Sequence, residues 1–125
     1  MTEMRLEISK DFSFDAAHYF NHKEEGHPFS RLHGHSFAGT VTVAGNPADD
    51  SGMVKDFWEI EAIVKAHVTS ILDHSLLNDI EGLAHPSLED IAEWVFKKLD
   101  PVLPGLVSVE IRRPSWGEKA VLRRA

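Results

Sequence analysis

The sequence contains no cysteine among its 125 residues, which excludes disulfide bonds and thiolate metal ligands. It also lacks a signal-peptide pattern and any apolar run near the roughly twenty residues of a membrane-spanning helix, so a cytoplasmic protein without a membrane partner is the expectation. Positive charge is scarce, with 13 Lys and Arg against 20 Asp and Glu and a net charge of −7. Because no basic stripe can neutralise phosphates, nucleic acid is not an expected partner.

Spacings of apolar and polar residues predict six elements in the order ββααββ. Asp56 and Ser87 are predicted to cap the two helices, each with an acidic residue three positions later. The segment 72–86 between the helices is predicted to be a loop. The apolar stripe of the first helix is predicted to be Phe57, Ile60, Val64, Val68 and Ile71. The predicted elements are residues 5–18, 32–44, 57–71, 88–99, 107–113 and a short strand ending near Leu122.

This order of elements predicts an α+β fold in a single domain, residues 1–125. Strands adjacent in sequence usually pair, so two antiparallel hairpins are expected to merge into one four-stranded sheet with both helices on one face. Such an open sheet has two unpaired edges, which favours strand pairing between subunits.

Three histidines form the strongest candidate site. His33 and His35 are two residues apart on a predicted strand, so their side chains point to the same face. His18 ends the preceding strand. Three imidazoles leave zinc with an open fourth position, as in catalytic zinc sites. The alternative is ordinary: a histidine on a strand is often a hydrogen-bonded core residue, and an H-x-H pattern occurs on surface strands by chance.

Other polar residues have two interpretations each. Asp73 beside His74 is a candidate acid–base pair near neutral pH, although adjacent side chains rarely hydrogen-bond well and Asp73 is also a typical loop cap. Glu89 falls in the first turn of a helix, where the dipole favours a carboxylate without any function. His27 is either a substrate contact, a group supporting the ligands, or a solvent-exposed loop residue.

Several motifs, taken in order along the chain, resemble the 6-pyruvoyl-tetrahydropterin synthase and 6-carboxy-tetrahydropterin synthase family of the tunnelling fold. The segment from Arg31 to Phe37, RLHGHSF, is similar to the bacterial 6-carboxy branch. The other matching segments are FDAAH (14–18), GMVKDF (52–57), LDHSLLN (72–78) and PSLE (86–89).

The resemblance implies a zinc-dependent lyase. It implies Zn²⁺ held by His18, His33 and His35, and a small pterin-like substrate derived from dihydroneopterin triphosphate. It further implies a proton-handling role for Asp73 and His74, with Glu89 at the substrate. His27, from its place in the loop before the second strand, is a further candidate for substrate binding. Family members assemble as homohexamers, each a dimer of trimers, and this assembly would pair the open sheet edges.

The chain departs from the family pattern at the base. The family has a cysteine four residues before the first histidine of the H-G-H pair, and here that position is Phe29. A phenyl ring cannot accept a proton, so the expectation is an altered base, with Glu24, Glu25 and His27 as the loop candidates. The alternative function is a catalytically reduced zinc-binding homologue that binds a small molecule or a partner.

A second departure concerns the substrate anchor. Alignment of the third strand places Arg113 where the family has a glutamate that accepts hydrogen bonds from the pterin. Arginine carries donors only, which suits a carboxylate or phosphate instead. Glu118, across the following turn, is the remaining candidate anchor.

Overall fold

The computed structural model describes residues 4–21 and 26–125. Short 3₁₀ turns at Pro28–Ser30, Leu77–Asp79 and Pro114–Trp116 connect the longer elements. Within the described residues, no helix is long and apolar enough to cross a membrane. The strands are β1 (Glu7–His18), β2 (His33–Ala44), β3 (Ser75–Leu76), β4 (Leu106–Arg113) and β5 (Glu118–Arg123), and the helices are α1 (Phe57–Val64), α2 (Ser70–Leu72) and α3 (Leu88–Leu99).

The strands form one sheet in the order β3-β1-β2-β4-β5. The two antiparallel hairpins, β1–β2 and β4–β5, merge through β2 and β4, which confirms the predicted α+β fold. The prediction of four strands was wrong by one, because β3 adds a parallel edge strand beside Ala16 and Ala17. A strand of two residues is too short to show an alternating pattern, which explains why its segment was predicted to be a loop.

The core lies between the helices and one face of the sheet. Alternate residues of β1 and β2 point into it, and the rings of Phe14 and Phe37 stack there at 5.0 Å. Ile60 of α1 and Ile91 of α3 are fully buried in the same cluster. Side chains between these positions on the strands are polar or small and face away from the helices, as the period of two requires.

The first helix is interrupted by a π-helical turn, Lys65–Thr69, before α2. The wider turn changes the angular phase of the residues that follow it. Val64, Val68 and Leu72 therefore form the buried stripe, at a spacing of four residues. The predicted inclusion of Ile71 and Phe57 was wrong, since their side chains are 41% and 49% exposed.

The register of the β1–β2 hairpin positions the candidate site. His18 is directly opposite His33 in the antiparallel pair. Asn78 fastens the chain just beyond β1, because its side chain accepts from the backbone N–H of Tyr19 and donates to the Tyr19 carbonyl, at 3.1 and 2.9 Å. These two hydrogen bonds to one residue fix the end of β1, and they thereby fix the position of His18.

Candidate metal-binding site

The three histidines converge at the open end of the β1–β2 hairpin. One ring nitrogen from each of His18, His33 and His35 lies within 4.8 Å of the others. The ring centroids are 4.6 to 5.0 Å apart, and the rings are steeply inclined to each other rather than stacked. Three imidazole nitrogens this close together can serve as the ligands of one metal ion.

Backbone carbonyls set the tautomers of two of these rings. His18 Nδ1–H donates to the Pro86 carbonyl at 2.9 Å, and His33 Nδ1–H donates to the Arg31 carbonyl at 2.7 Å. Each bond leaves Nε2 as the free lone pair, an arrangement found for most metal-binding histidines. His18 is 1% exposed, and its Nε2 has no hydrogen-bond partner among the described residues. A buried orphan nitrogen is costly unless a ligand satisfies it, so these residues fit a metal ion.

Burial keeps the imidazoles of His18 and His35 neutral. Loss of solvent lowers the pKa of His18 to about 4, and the nearby charges of His33, His35 and Arg113 act in the same direction. Loss of solvent also lowers the pKa of His35 to about 4, assisted by Arg113. Because zinc binds the neutral imidazole, these two rings are in the metal-binding form at neutral pH.

The depressed pKa of His18 predicts an acid-sensitive metal-free protein. The unfolded chain binds more protons between pH 6.5 and 4, so the free energy of unfolding falls as pH falls through that window. For His18 the expected loss is about 2 kcal/mol between pH 7 and pH 5. Urea unfolding of the metal-free protein at both pH values measures it.

The matched control is the His18→Gln variant, which has no titrating ring at this position. It is expected to lose about 2 kcal/mol less than the parent protein over the same interval. Equal losses in the two proteins would contradict the assignment of a neutral, desolvated His18.

A cavity of about 270 Å³ opens in front of the histidines. His33, His35 and Arg113 line it together with the rings of Phe29 and Trp116. The Phe29 ring is 6.4 Å from His33, and the Trp116 ring is 6.3 Å from His35. The phenyl group predicted to replace a base therefore lies against the metal-binding site itself.

A second cavity, of about 540 Å³, adjoins the first and shares Phe29 and Arg113 with it. Glu89 and Glu118 line this cavity. Glu118 is the cross-strand neighbour of Arg113, and its Oε1 accepts from the Arg113 guanidinium at 2.6 Å. The structure thus brings three of the predicted substrate-site residues to one place, next to the histidines.

The structure does not bring the Asp73–His74 pair to the histidine cluster. His74 borders a shallow depression with Asp15 and Ser36, whose side chains point away from the core that contains His18. His35 borders the same depression, but neither Asp73 nor His74 belongs to the group of ring nitrogens that could hold a metal ion. The His74 Nδ1 is 2.8 Å from Asp73 Oδ2, so these adjacent side chains do hydrogen-bond. Their side chains are 82% and 42% exposed, respectively, at the β3 edge of the sheet.

Hydrogen bonds fix the geometry of this pair. The backbone N–H of Asp15 donates to Asp73 Oδ1 and, together with His74, lowers the pKa of the Asp73 carboxyl. The carboxylate in turn raises the pKa of His74. His74 has a left-handed backbone, with φ of 59°, and its N–H donates to the Asp15 carbonyl at 2.7 Å. These bonds hold an exposed imidazole in a fixed position.

Of the three candidate bases in the loop before β2, His27 lies within the described residues. His27 is exposed, and its Nδ1 accepts from the backbone N–H of Phe29 at 3.1 Å, which caps the 3₁₀ turn. Its ring lies 5.2 Å from the Phe29 ring. Glu24 and Glu25 lie outside the described residues.

Sequence reasoning missed two positioning groups, the Pro86 carbonyl and the Asn78 side chain. A carbonyl is present at every residue and gives no signal in a sequence. Asn78 was recognised within a motif, but its contact with Tyr19 depends on the path of the loop between α2 and α3.

Comparison with known proteins places this site in context. A family model for 6-pyruvoyl tetrahydropterin synthase matches residues 7–124. The chain belongs to the 6-pyruvoyl tetrahydropterin synthase family. The 6-carboxy-5,6,7,8-tetrahydropterin synthase of Synechocystis sp. is 46% identical over 109 residues, which are 83% of each protein. The dihydroneopterin monophosphate aldolase of Pyrococcus furiosus is 36% identical over 115 residues, covering 92% of this chain and 91% of that protein.

A solved structure shows the same fold. The 6-pyruvoyl tetrahydropterin synthase of Caenorhabditis elegans superposes with a TM-score of 0.83 over the full length of both chains, at 24% identity. The family resemblance drawn from the sequence motifs is therefore confirmed, as is the fold that it implied. Two family relatives with different reaction names, a synthase and an aldolase, share most of their length with this chain.

Proposed function

We propose that this member of the family is a zinc-dependent lyase that acts on a reduced pterin derived from a dihydroneopterin phosphate. The carrying observation is the buried His18 Nε2, which has no hydrogen-bond partner in the described part of the chain and belongs to a group of three close imidazoles. The names of the family relatives, which are pterin synthases and a pterin aldolase, support the substrate class.

Each group of residues in the site has a separate role in this proposal. His18, His33 and His35 would hold the zinc ion, which supplies Lewis acidity to a bound hydroxyl or carbonyl oxygen. Phe29 and Trp116 offer apolar ring surface to a planar bicyclic substrate in the cavity beside the histidines. Glu89 and Arg113 provide charged contacts in the adjoining cavity. His27, whose ring lies 5.2 Å from the Phe29 ring, is a further candidate contact to the substrate.

Proton transfer is assigned to Asp73 and His74. The Asp73 carboxylate orients the imidazole through Nδ1 and stabilises its protonated form, which leaves Nε2 to exchange a proton with the substrate. Because the pair lies away from the histidine cluster of its own subunit, a complete site requires a second subunit. We assign the protein to a homohexamer built from two trimers.

The sheet edges support such an assembly. Only Ala16 and Ala17 of the twelve-residue strand β1 pair with β3, and β5 forms the opposite edge. Unpaired strand edges favour pairing with another chain. Sedimentation velocity of the zinc-loaded protein is expected to give a hexamer, and a monomer at micromolar concentration would contradict the shared site.

Phe29 favours a second candidate, a homologue that binds zinc and a small molecule with little or no turnover. Its ring lies beside His33, at the position where the family resemblance predicts a proton-accepting side chain. The two candidates differ only in the chemistry that follows binding, so a product assay separates them.

The assay supplies zinc-loaded protein with dihydroneopterin triphosphate or dihydroneopterin monophosphate and identifies products by mass spectrometry. A product that has lost phosphate or a side-chain fragment is expected from the lyase. Binding of either compound without any product would support the second candidate. Failure of the protein to bind either pterin would contradict both.

A further inference from the structure

The guanidinium of Arg113 is only partly used within the chain. Its side chain is 13% exposed, and one terminal nitrogen donates to Glu118 Oε1 at 2.6 Å. The other terminal nitrogen faces His35 Nε2 at 3.5 Å, where the contact is long for a hydrogen bond. The Nε–H is buried and has no acceptor among the described residues. An unsatisfied buried donor of this kind needs an acceptor, and residues 4–21 and 26–125 supply none.

Arg113 also occupies a shared position. It lines both the cavity in front of the histidines and the adjoining cavity that contains Glu89. A ligand that reaches from one cavity to the other must therefore pass the guanidinium. Backbone pairing of β4 with β5 holds Arg113 and Glu118 opposite each other, so the cation is fixed in place before any ligand enters.

The charge of Arg113 limits the ligands that fit. Guanidinium donates hydrogen bonds and accepts none, so it cannot bind an N–H edge of a substrate. Its position beside His35 places it next to the site where a zinc cation would bind, and two neighbouring cations repel each other. An anionic oxygen between them would offset that repulsion, and planar arginine binds phosphate and carboxylate in a two-point geometry.

We propose that Arg113 binds an oxyanion, a phosphate or a carboxylate, carried by the ligand of the three-histidine site. Glu118 binds the guanidinium in the ligand-free protein. When the ligand binds, its oxyanion accepts hydrogen bonds from guanidinium N–H groups that Glu118 does not use. This inference rests on the proposed function for the identity of the ligand, but the preference for an oxyanion belongs to Arg113 alone.

Matched ligand pairs test the proposal by calorimetry on the zinc-loaded protein. Dihydroneopterin monophosphate is compared with dihydroneopterin, and pterin-6-carboxylate with 6-methylpterin. In the Arg113→Gln variant, the affinity for the charged member of at least one pair is expected to fall about tenfold or more, whereas its neutral partner changes less than about twofold. The pair that responds identifies the phosphate or the carboxylate as the natural group.

Two further variants separate binding from a structural role. Glu118→Gln breaks the same ion pair but keeps the guanidinium, so the affinity for the charged ligand is expected to be unchanged or higher. Arg123→Gln removes an exposed arginine of β5, and the affinity for the charged and the neutral ligand is expected to stay unchanged. Equal losses in Arg113→Gln and Glu118→Gln, or no loss in Arg113→Gln, would overturn the proposal.

Inorganic phosphate alone provides the arm that does not depend on pterins. If the parent protein binds neither pterin but binds phosphate at least about tenfold more tightly than Arg113→Gln does, the proposed function fails and the oxyanion site stands. If the parent binds the neutral pterins, but the parent and Arg113→Gln bind every oxyanion with equal affinity, the proposed function stands and the oxyanion site fails.

Discussion

Replacing His33 with alanine is expected to lower the affinity for zinc by at least about 100-fold, because it removes one of three metal ligands. Removal of a group that only hydrogen-bonds to a ligand already lowers metal affinity by about 10- to 100-fold. His33 is half-buried at the edge of the core, so the protein should remain folded. His18 is fully buried, and its removal would combine metal loss with a packing defect. Zinc titration against a competing chelator gives the affinity, and thermal unfolding checks the fold.

His67→Ala provides the matched control. This histidine lies in the π-helical turn and is absent from the convergent cluster, so its removal should leave the zinc affinity within about twofold of the parent. Tight stoichiometric zinc binding by the His33→Ala protein would contradict the three-histidine site.

Replacing His74 with asparagine is expected to lower kcat by about 100- to 10,000-fold, the contribution of a positioned acid–base group. Asparagine tolerates the left-handed backbone of this position, where φ is 59°, so the substitution removes the imidazole without adding strain. The side chain is 82% exposed, which predicts little change in stability. Zinc content should be unchanged, because the pair lies away from the histidine cluster.

Steady-state kinetics on whichever dihydroneopterin phosphate gives a product measures this effect, and His85→Asn is the control, since it makes the same change at an exposed loop histidine. A kcat within threefold of the parent in the His74→Asn protein would remove the pair from the mechanism. A parallel loss of zinc would indicate a structural role instead.

The sequence predicted the site best where the alternation of side chains along a strand determines which residues share a face. Alternation along β2 was enough to place His33 and His35 on one face, and pairing of neighbouring strands was enough to bring His18 opposite His33. The tautomers of His18 and His33 could not be predicted in the same way. They depend on the Pro86 and Arg31 carbonyls, and a backbone carbonyl leaves no pattern in the sequence.

Two other results depended on three-dimensional placement. The π-helical turn shifted the buried stripe from Ile71 to Leu72, because a helical wheel with a constant angle cannot register a local change of pitch. Asp73 and His74 hydrogen-bond to each other, which their adjacency in sequence did not favour. Their placement beside β1 depends on β3, a strand too short to predict.

The most direct test of the central claim is turnover by one preparation in three states: as loaded with zinc, after removal of the metal with a chelator, and after return of one equivalent of zinc per chain. The substrates are the dihydroneopterin phosphates. The account predicts that turnover disappears with the metal and returns with it. Equal turnover by the loaded and the metal-free protein, with zinc analysis confirming removal, would contradict a zinc-dependent lyase.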